Sequence, residues 1–117
     1  MEYSFRSVGN VDILSISGSL DQKTVAPIRN WFEKQISCEP AYLVVNLKGA
    51  NYLDSIGLAT LVAGKNRAQK FKGDLRLCCL PGHIRMLFEL TRLDKVFEIL
   101  PTEDAAIEAF TVAQIAR

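Results

Sequence analysis

The segment Asn51-Tyr52-Leu53-Asp54-Ser55-Ile56-Gly57-Leu58 holds the residues best placed for chemistry. It follows an apolar run and opens a stretch with apolar residues at helical spacing, so it sets the Ser55 hydroxyl just after the Asp54 carboxylate at a helix N-terminus. There the first amide protons lack intrahelical partners and the aligned peptide dipoles leave partial positive charge, so a phosphate added to Ser55 would be held locally. Phosphorylation would bring nearly two negative charges to the surrounding surface and could change the choice of partner without changing the fold. An aspartate and a serine at a helix start also make an ordinary cap, and the local physics leaves both readings open.

Other residues are weaker candidates. Gly57, Thr60, Gly64 and Arg67 fall along one helical stripe, which is either plain solvated surface or a place where a partner's backbone comes close. Lys65, Arg67, Lys70 and Lys72 form a basic cluster late in the same helix, read as a solvated helix end with cations near the C-terminal dipole. Few aromatic residues interleave with it, so nucleic-acid bases have no stacking platform. Trp31 sits beside the core stripe of its helix and is expected to be partly exposed at the core edge. The only histidine, His83, follows Pro81-Gly82 with no carboxylate close in sequence and is read as a surface or helix-start residue. Ser55 lacks the Gly-x-Ser-x-Gly elbow of a hydrolase, and neither a phosphate-cradling loop nor a dinucleotide fingerprint is present, so no enzyme is indicated and no cofactor is expected.

These residues need a scaffold. The 117-residue chain is the size of one domain able to bury a core without a metal or disulfides, and its 49% apolar and 23% charged residues suit a globular protein. A formal charge of +1 argues against non-specific nucleic-acid binding. The N-terminus does not read as a signal peptide and no apolar run is long enough to span a membrane, so a cytoplasmic protein without membrane insertion is expected. Three cysteines, Cys38, Cys78 and Cys79, suggest reduced apolar fillers rather than a disulfide framework or a metal site.

Tyr3 to Val8 reads as an edge strand joined through a tight turn at Gly9-Asn10 to a half-buried, alternating strand, Val11 to Ser17. Val25, Ile28, Phe32 and Ile36 mark an amphipathic helix with Thr24 as a possible cap. Tyr42 to Leu47 is a buried central strand, followed by a helix from Asp54 and Ser55 to about Phe71. Leu75 to Leu80 is a further buried strand, and a short helix carries Ile84, Leu87 and Phe88. Val96 to Leu100 is a last strand, and Thr102 caps a closing helix with Glu103 and Asp104 in its first turn. The order β-β-α-β-α-β-α-β-α predicts one layered α/β domain over residues 1–117, with strands parallel where helices separate them.

Read in order, Ile16-Ser17-Gly18-Ser19-Leu20-Asp21, Leu43-Val44-Val45-Asn46-Leu47, Leu53-Asp54-Ser55-Ile56-Gly57-Leu58 and Leu87 to Phe97 resemble the STAS family, most closely its single-domain bacterial anti-sigma factor antagonists. The resemblance implies a STAS-type mixed β-sheet with about four α-helices. It also implies partner switching: the unphosphorylated protein binds an anti-sigma factor that is a serine kinase, phosphorylation breaks the complex, and a PP2C-type phosphatase restores it. Ser55 matches the phosphoacceptor, and the expected partner-facing surface takes in Asp21, Asp54, Ser55, Ile56, Gly57, Thr60, Gly64 and Arg67. Ile56 stands where these antagonists commonly have Ser or Thr, which removes a second hydroxyl and makes the helix entrance more apolar. The alternative is a STAS regulatory subunit of a transport complex or other signalling system, not controlled by phosphorylation.

Overall fold

The computed structural model describes the backbone of residues 1–115 and the side chains of residues 1–110. The strands are β1 (Glu2–Val8), β2 (Val11–Leu20), β3 (Tyr42–Leu53), β4 (Asp74–Cys78) and β5 (Ile99–Leu100), and the helices are α1 (Val25–Gln35), α2 (Ser55–Lys70), α3 (Gly82–Leu90) and α4 (Glu103–Ile115). The strands lie in the order β1-β2-β3-β4-β5 in one sheet, with β1 antiparallel to β2 and every other neighbouring pair parallel. This is the mixed sheet with four helices that the resemblance implies.

Strand alternation divides the core in two. Leu43, Val45 and Leu47 of β3, with Leu14, Ile16, Leu75 and Leu77, pack beneath α1, α2 and α3, whereas Tyr42 and Val44, with Val11, Ile13 and Cys78, meet Ala106 and Phe110 of α4. Helices therefore cover both faces of the sheet centre, and β2 is not half-buried as its alternation suggested: Ile13 and Leu14, neighbours on opposite faces, are both fully buried. β1 does form the expected edge, and Gly9 of its turn takes φ +62°, a left-handed conformation that glycine adopts without strain.

Two strands run longer than their hydrophobic pattern. β2 continues past Gly18 to Leu20, and β3 past Leu47 to Leu53, because the two stay paired through register shifts at Ser15/Ser17 and Gly18/Ser19. In this stretch only Ala50 and Leu53 of β3 are buried, a spacing of three that alternation cannot reveal. The last strand is shorter than expected. A 3₁₀ turn occupies Leu93–Lys95, Val96 is exposed, and only Ile99–Leu100 pairs with β4.

Candidate functional site

The extended ends of β2 and β3 bring the Asp21 loop beside the start of α2. Asp54 occupies the cap position: its Oδ1 accepts from the Gly57 amide at 2.8 Å, and its Oδ2 accepts from the Gln22 amide at 2.9 Å. One carboxylate thus fastens the helix start to the loop after β2, and the Asp54 amide donates to the Leu20 carbonyl as well. The bond from the Gly57 amide, opposed by desolvation and reinforced by the bond from Gln22, holds the Asp54 carboxyl below its usual range. Asp21 shapes the loop from within, since its Oδ1 accepts from the Lys23 amide at 2.9 Å. Thr24 stands at the cap position of α1 but does not cap it through its side chain. Its hydroxyl oxygen accepts from the Asp21 amide and donates to the Ser19 carbonyl, both at 2.9 Å, which closes the loop instead.

With Asp54 as the cap, Ser55 is the first helical residue. It is exposed, and its hydroxyl makes no hydrogen bond to another described residue. Ile56 beside it is 39% exposed, and Tyr52 on the approach is 53% exposed.

The stripe along α2 turns toward α1. Gly57 is buried against the end of β2, where a Cβ would stand 2.3 Å from the Leu20 carbonyl oxygen, and a Cβ on Gly64 would stand 2.7 Å from the Phe32 ring. Both glycines permit close packing within this chain. The Thr60 hydroxyl donates to the Ile56 carbonyl at 2.9 Å, and Arg67 donates through Nε to the Ile36 carbonyl at 2.8 Å and through a second nitrogen to the Glu33 carbonyl at 3.2 Å, so that it caps the C-terminus of α1. A groove of about 470 Å³ remains between the helices, lined by Arg29 and Phe32 from α1 and by Ile56, Thr60, Gly64 and Arg67 from α2. Of the residues expected on the partner-facing surface, Ile56, Thr60, Gly64 and Arg67 meet in this groove. Asp21, Asp54 and Gly57 build the joint at the start of α2, and Ser55 stands uncovered at that helix start. Arg29 and the Gln22 amide were missing from the sequence reading, and Phe32 was read there only as a core residue of α1. Arg29 lies one helical turn before Phe32 on α1, a spacing that points to it, whereas a backbone contact leaves no trace in side-chain type.

Three expectations need correction. The basic cluster is not a solvated helix end. Lys65 is 7% exposed and pairs with Asp74 Oδ1 at 2.5 Å, and Arg67 is spent on the α1 carbonyls, so Lys70 and Lys72 alone face solvent. Trp31 is only 6% exposed, because Phe5 of β1 covers it at a ring-centroid distance of 5.6 Å. The strand expected to reach Leu80 stops early: β4 ends at Cys78, which is buried with its thiol pKa raised by desolvation, and Cys79 turns away at φ +61°. His83 is exposed at the start of α3 with Nε2 at 3.0 Å from the Asn51 carbonyl oxygen. Among the described residues no group of three His, Cys, Asp or Glu is suited to a metal ion, and no helix is long and apolar enough to cross a membrane.

A mixed sheet flanked by helices on both faces, with an uncovered serine at the start of the helix after its central strand, defines a small α/β module. The STAS domain model matches residues 3–106, and the chain belongs to that family. It is 26% identical over 106 residues to an anti-sigma F factor antagonist of Paenibacillus polymyxa, covering 88% of this chain and 86% of that one. It is 27% identical over 103 residues to an anti-sigma-B factor antagonist of Listeria monocytogenes, covering 88% and 90%. The crystal structure of an anti-sigma factor antagonist from Mycobacterium paratuberculosis superposes with a TM-score of 0.81 at 28% identity, covering 92% of each chain.

Proposed function

We propose that this chain is an anti-sigma factor antagonist that works by switching partners. With Ser55 unmodified it binds an anti-sigma factor that is also a serine kinase. Phosphate on Ser55 breaks that complex, and a PP2C-type phosphatase removes it. The chain acts by binding and catalyses no reaction of its own. The observation that carries this reading is the Ser55 hydroxyl, exposed in the first turn of α2 with no internal bond to give up, in a chain of the STAS family whose relatives include anti-sigma factor antagonists.

The physical basis is local. The groove of Ile56, Thr60, Gly64 and Arg67 opens along the same helix and supplies apolar surface with a few polar groups, the composition of a specific contact. A doubly charged phosphate at its end is accommodated by the helix dipole while the partner is absent, and it must be stripped of water when the partner docks. The charge therefore weakens the complex without unfolding the antagonist. The experiment mixes the protein with the cognate kinase and ATP, locates phosphate by mass spectrometry, and compares kinase binding by the native protein, Ser55→Ala and Ser55→Asp. Phosphate on Ser55 and loss of binding in Ser55→Asp are expected. Absence of phosphate there together with unchanged binding by Ser55→Asp rejects the mechanism.

A further inference from the structure

The two edges of the sheet are built differently. β5 is only Ile99–Leu100 and is followed at once by Pro101, so that edge is short and ends on a residue with no amide proton. β1 runs the seven residues Glu2–Val8, pairs with β2 in one unbroken register, contains neither proline nor lysine, and is exposed throughout. Tyr3 and Phe5 are 41% and 56% exposed. A long, regular, partly apolar edge of this kind is a template for one more strand.

The hairpin decides which groups face outward. Its loop, Gly9-Asn10, closes on the pair Val8 and Val11, and the pair that closes such a loop exchanges both its backbone hydrogen bonds. By alternation Arg6, Ser4 and Glu2 also bond to β2, which directs the amides and carbonyls of Tyr3, Phe5 and Ser7 away from the sheet. Side chains alternate too. Glu2, Ser4 and Arg6 lie on the face that carries α4, where Arg6 pairs with Glu103, and Tyr3 and Phe5 lie on the face that carries α1, where Phe5 meets Trp31.

We propose that β1 pairs antiparallel with β1 of a second copy of this chain about a two-fold axis at Ser4, joining the two sheets edge to edge. From position 2 to 6 the chain reads acidic, aromatic, serine, aromatic, basic, which is its own complement when reversed. In this register Tyr3 faces Phe5 of the second copy, a pair whose outward backbone groups bond across the axis, and Glu2 faces Arg6 of the second copy on the other side of the sheet; each pair occurs twice. Arg6 can serve both carboxylates, since its side chain stays 55% exposed beside Glu103 and a guanidinium has five donors. A groove of about 500 Å³ runs between β1 and α1, lined by Tyr3, Phe5, Asn30 and Trp31, and the Trp31 indole N–H is buried with no acceptor among the described residues. The flank of the strand thus holds both apolar surface and an unanswered donor. None of these residues lines the groove between α1 and α2, so the proposal does not depend on Ser55.

One short strand buries less than the ~1,200 Å² per complex of a standard interface, so the dimer is a concentration-dependent one. Sedimentation of the full chain from about 10 µM to about 1 mM is expected to show a monomer–dimer equilibrium, and Glu2→Lys, which sets a cation against Arg6 of the second copy in each of the two pairs, weakens it roughly tenfold. The register is read by cross-linking in a Cys38→Ser background. Ser4→Cys faces its own copy at about 4.5 Å between Cα atoms and forms an intermolecular disulfide under mild oxidation, whereas Phe5→Cys faces Tyr3 and does not. A protein that stays monomeric over this range overturns the proposal. So does a dimer indifferent to Glu2→Lys, or one that cross-links through Phe5→Cys and not Ser4→Cys.

Discussion

A Cβ on Gly57 would stand 2.3 Å from the carbonyl oxygen of Leu20, closer than any real side-chain contact, so the start of α2 rests directly on the backbone at the end of β2. The obstacle is main chain and cannot rotate aside. Gly57→Ala is therefore expected to push the helix start off the sheet at a cost of about 1–3 kcal/mol, read by urea denaturation. The same displacement breaks the bond from the Gly57 amide to Asp54, and the variant loses affinity for the Ser55-directed partner although its surface chemistry is unchanged.

Ser55 itself contributes little to the fold, being exposed and without an internal hydrogen bond. Ser55→Ala should leave the unfolding free energy within about 0.5 kcal/mol of the native protein. Ser55→Glu places a negative charge in the first helical turn and should stabilise by about 0.3–1 kcal/mol. Loss of partner binding by a variant that melts at or above the native temperature separates the switch from unfolding.

Asp54 sets an acid limit. Its folded carboxyl titrates below its unfolded value, so its contribution is fully present above the ordinary carboxylate range and disappears as the pH falls through that range toward the lower folded value. Glu103 acts in the same direction, held down first by Arg6 and also by Asn46. The urea midpoint should accordingly fall between about pH 5 and about pH 3. Asp54→Asn, with one oxygen to serve two amides, starts lower at neutral pH and falls less steeply.

The Lys65–Asp74 pair predicts an asymmetry between its two deletions. Asp74→Ala strands a nearly buried ammonium and also removes the acceptor of the Leu75 amide, at a cost of about 2–4 kcal/mol, reduced from that of a fully buried pair because Asp74 remains partly exposed. Lys65→Met keeps the stem volume and strands only the more exposed carboxylate, so it costs less. Comparing the two by thermal denaturation at one pH checks the order.

The element order could be read from hydrophobic periodicity, because each helix buries one stripe and each central strand is a short apolar run bounded by Gly, Pro or polar residues. What escaped depends on contacts between distant segments. β3 outruns Leu47 only because β2 follows it with shifted register. Trp31 is buried because Phe5, far off in sequence, lies over it, and Lys65 is buried because Asp74 waits at the start of the next strand. The site shows the same division. The helix-start position of Ser55 was legible from a local pattern, while the use of both Asp54 oxygens depends on the Gln22 amide, which no residue type announces.

The pair of hydrogen bonds that Asp54 accepts from the Gln22 and Gly57 amides bears on how strongly a visitor can hold this rim. By tying the loop after β2 to the start of α2 before any contact is made, these bonds reduce the ordering that docking would otherwise require, which leaves more of the gross attraction as affinity.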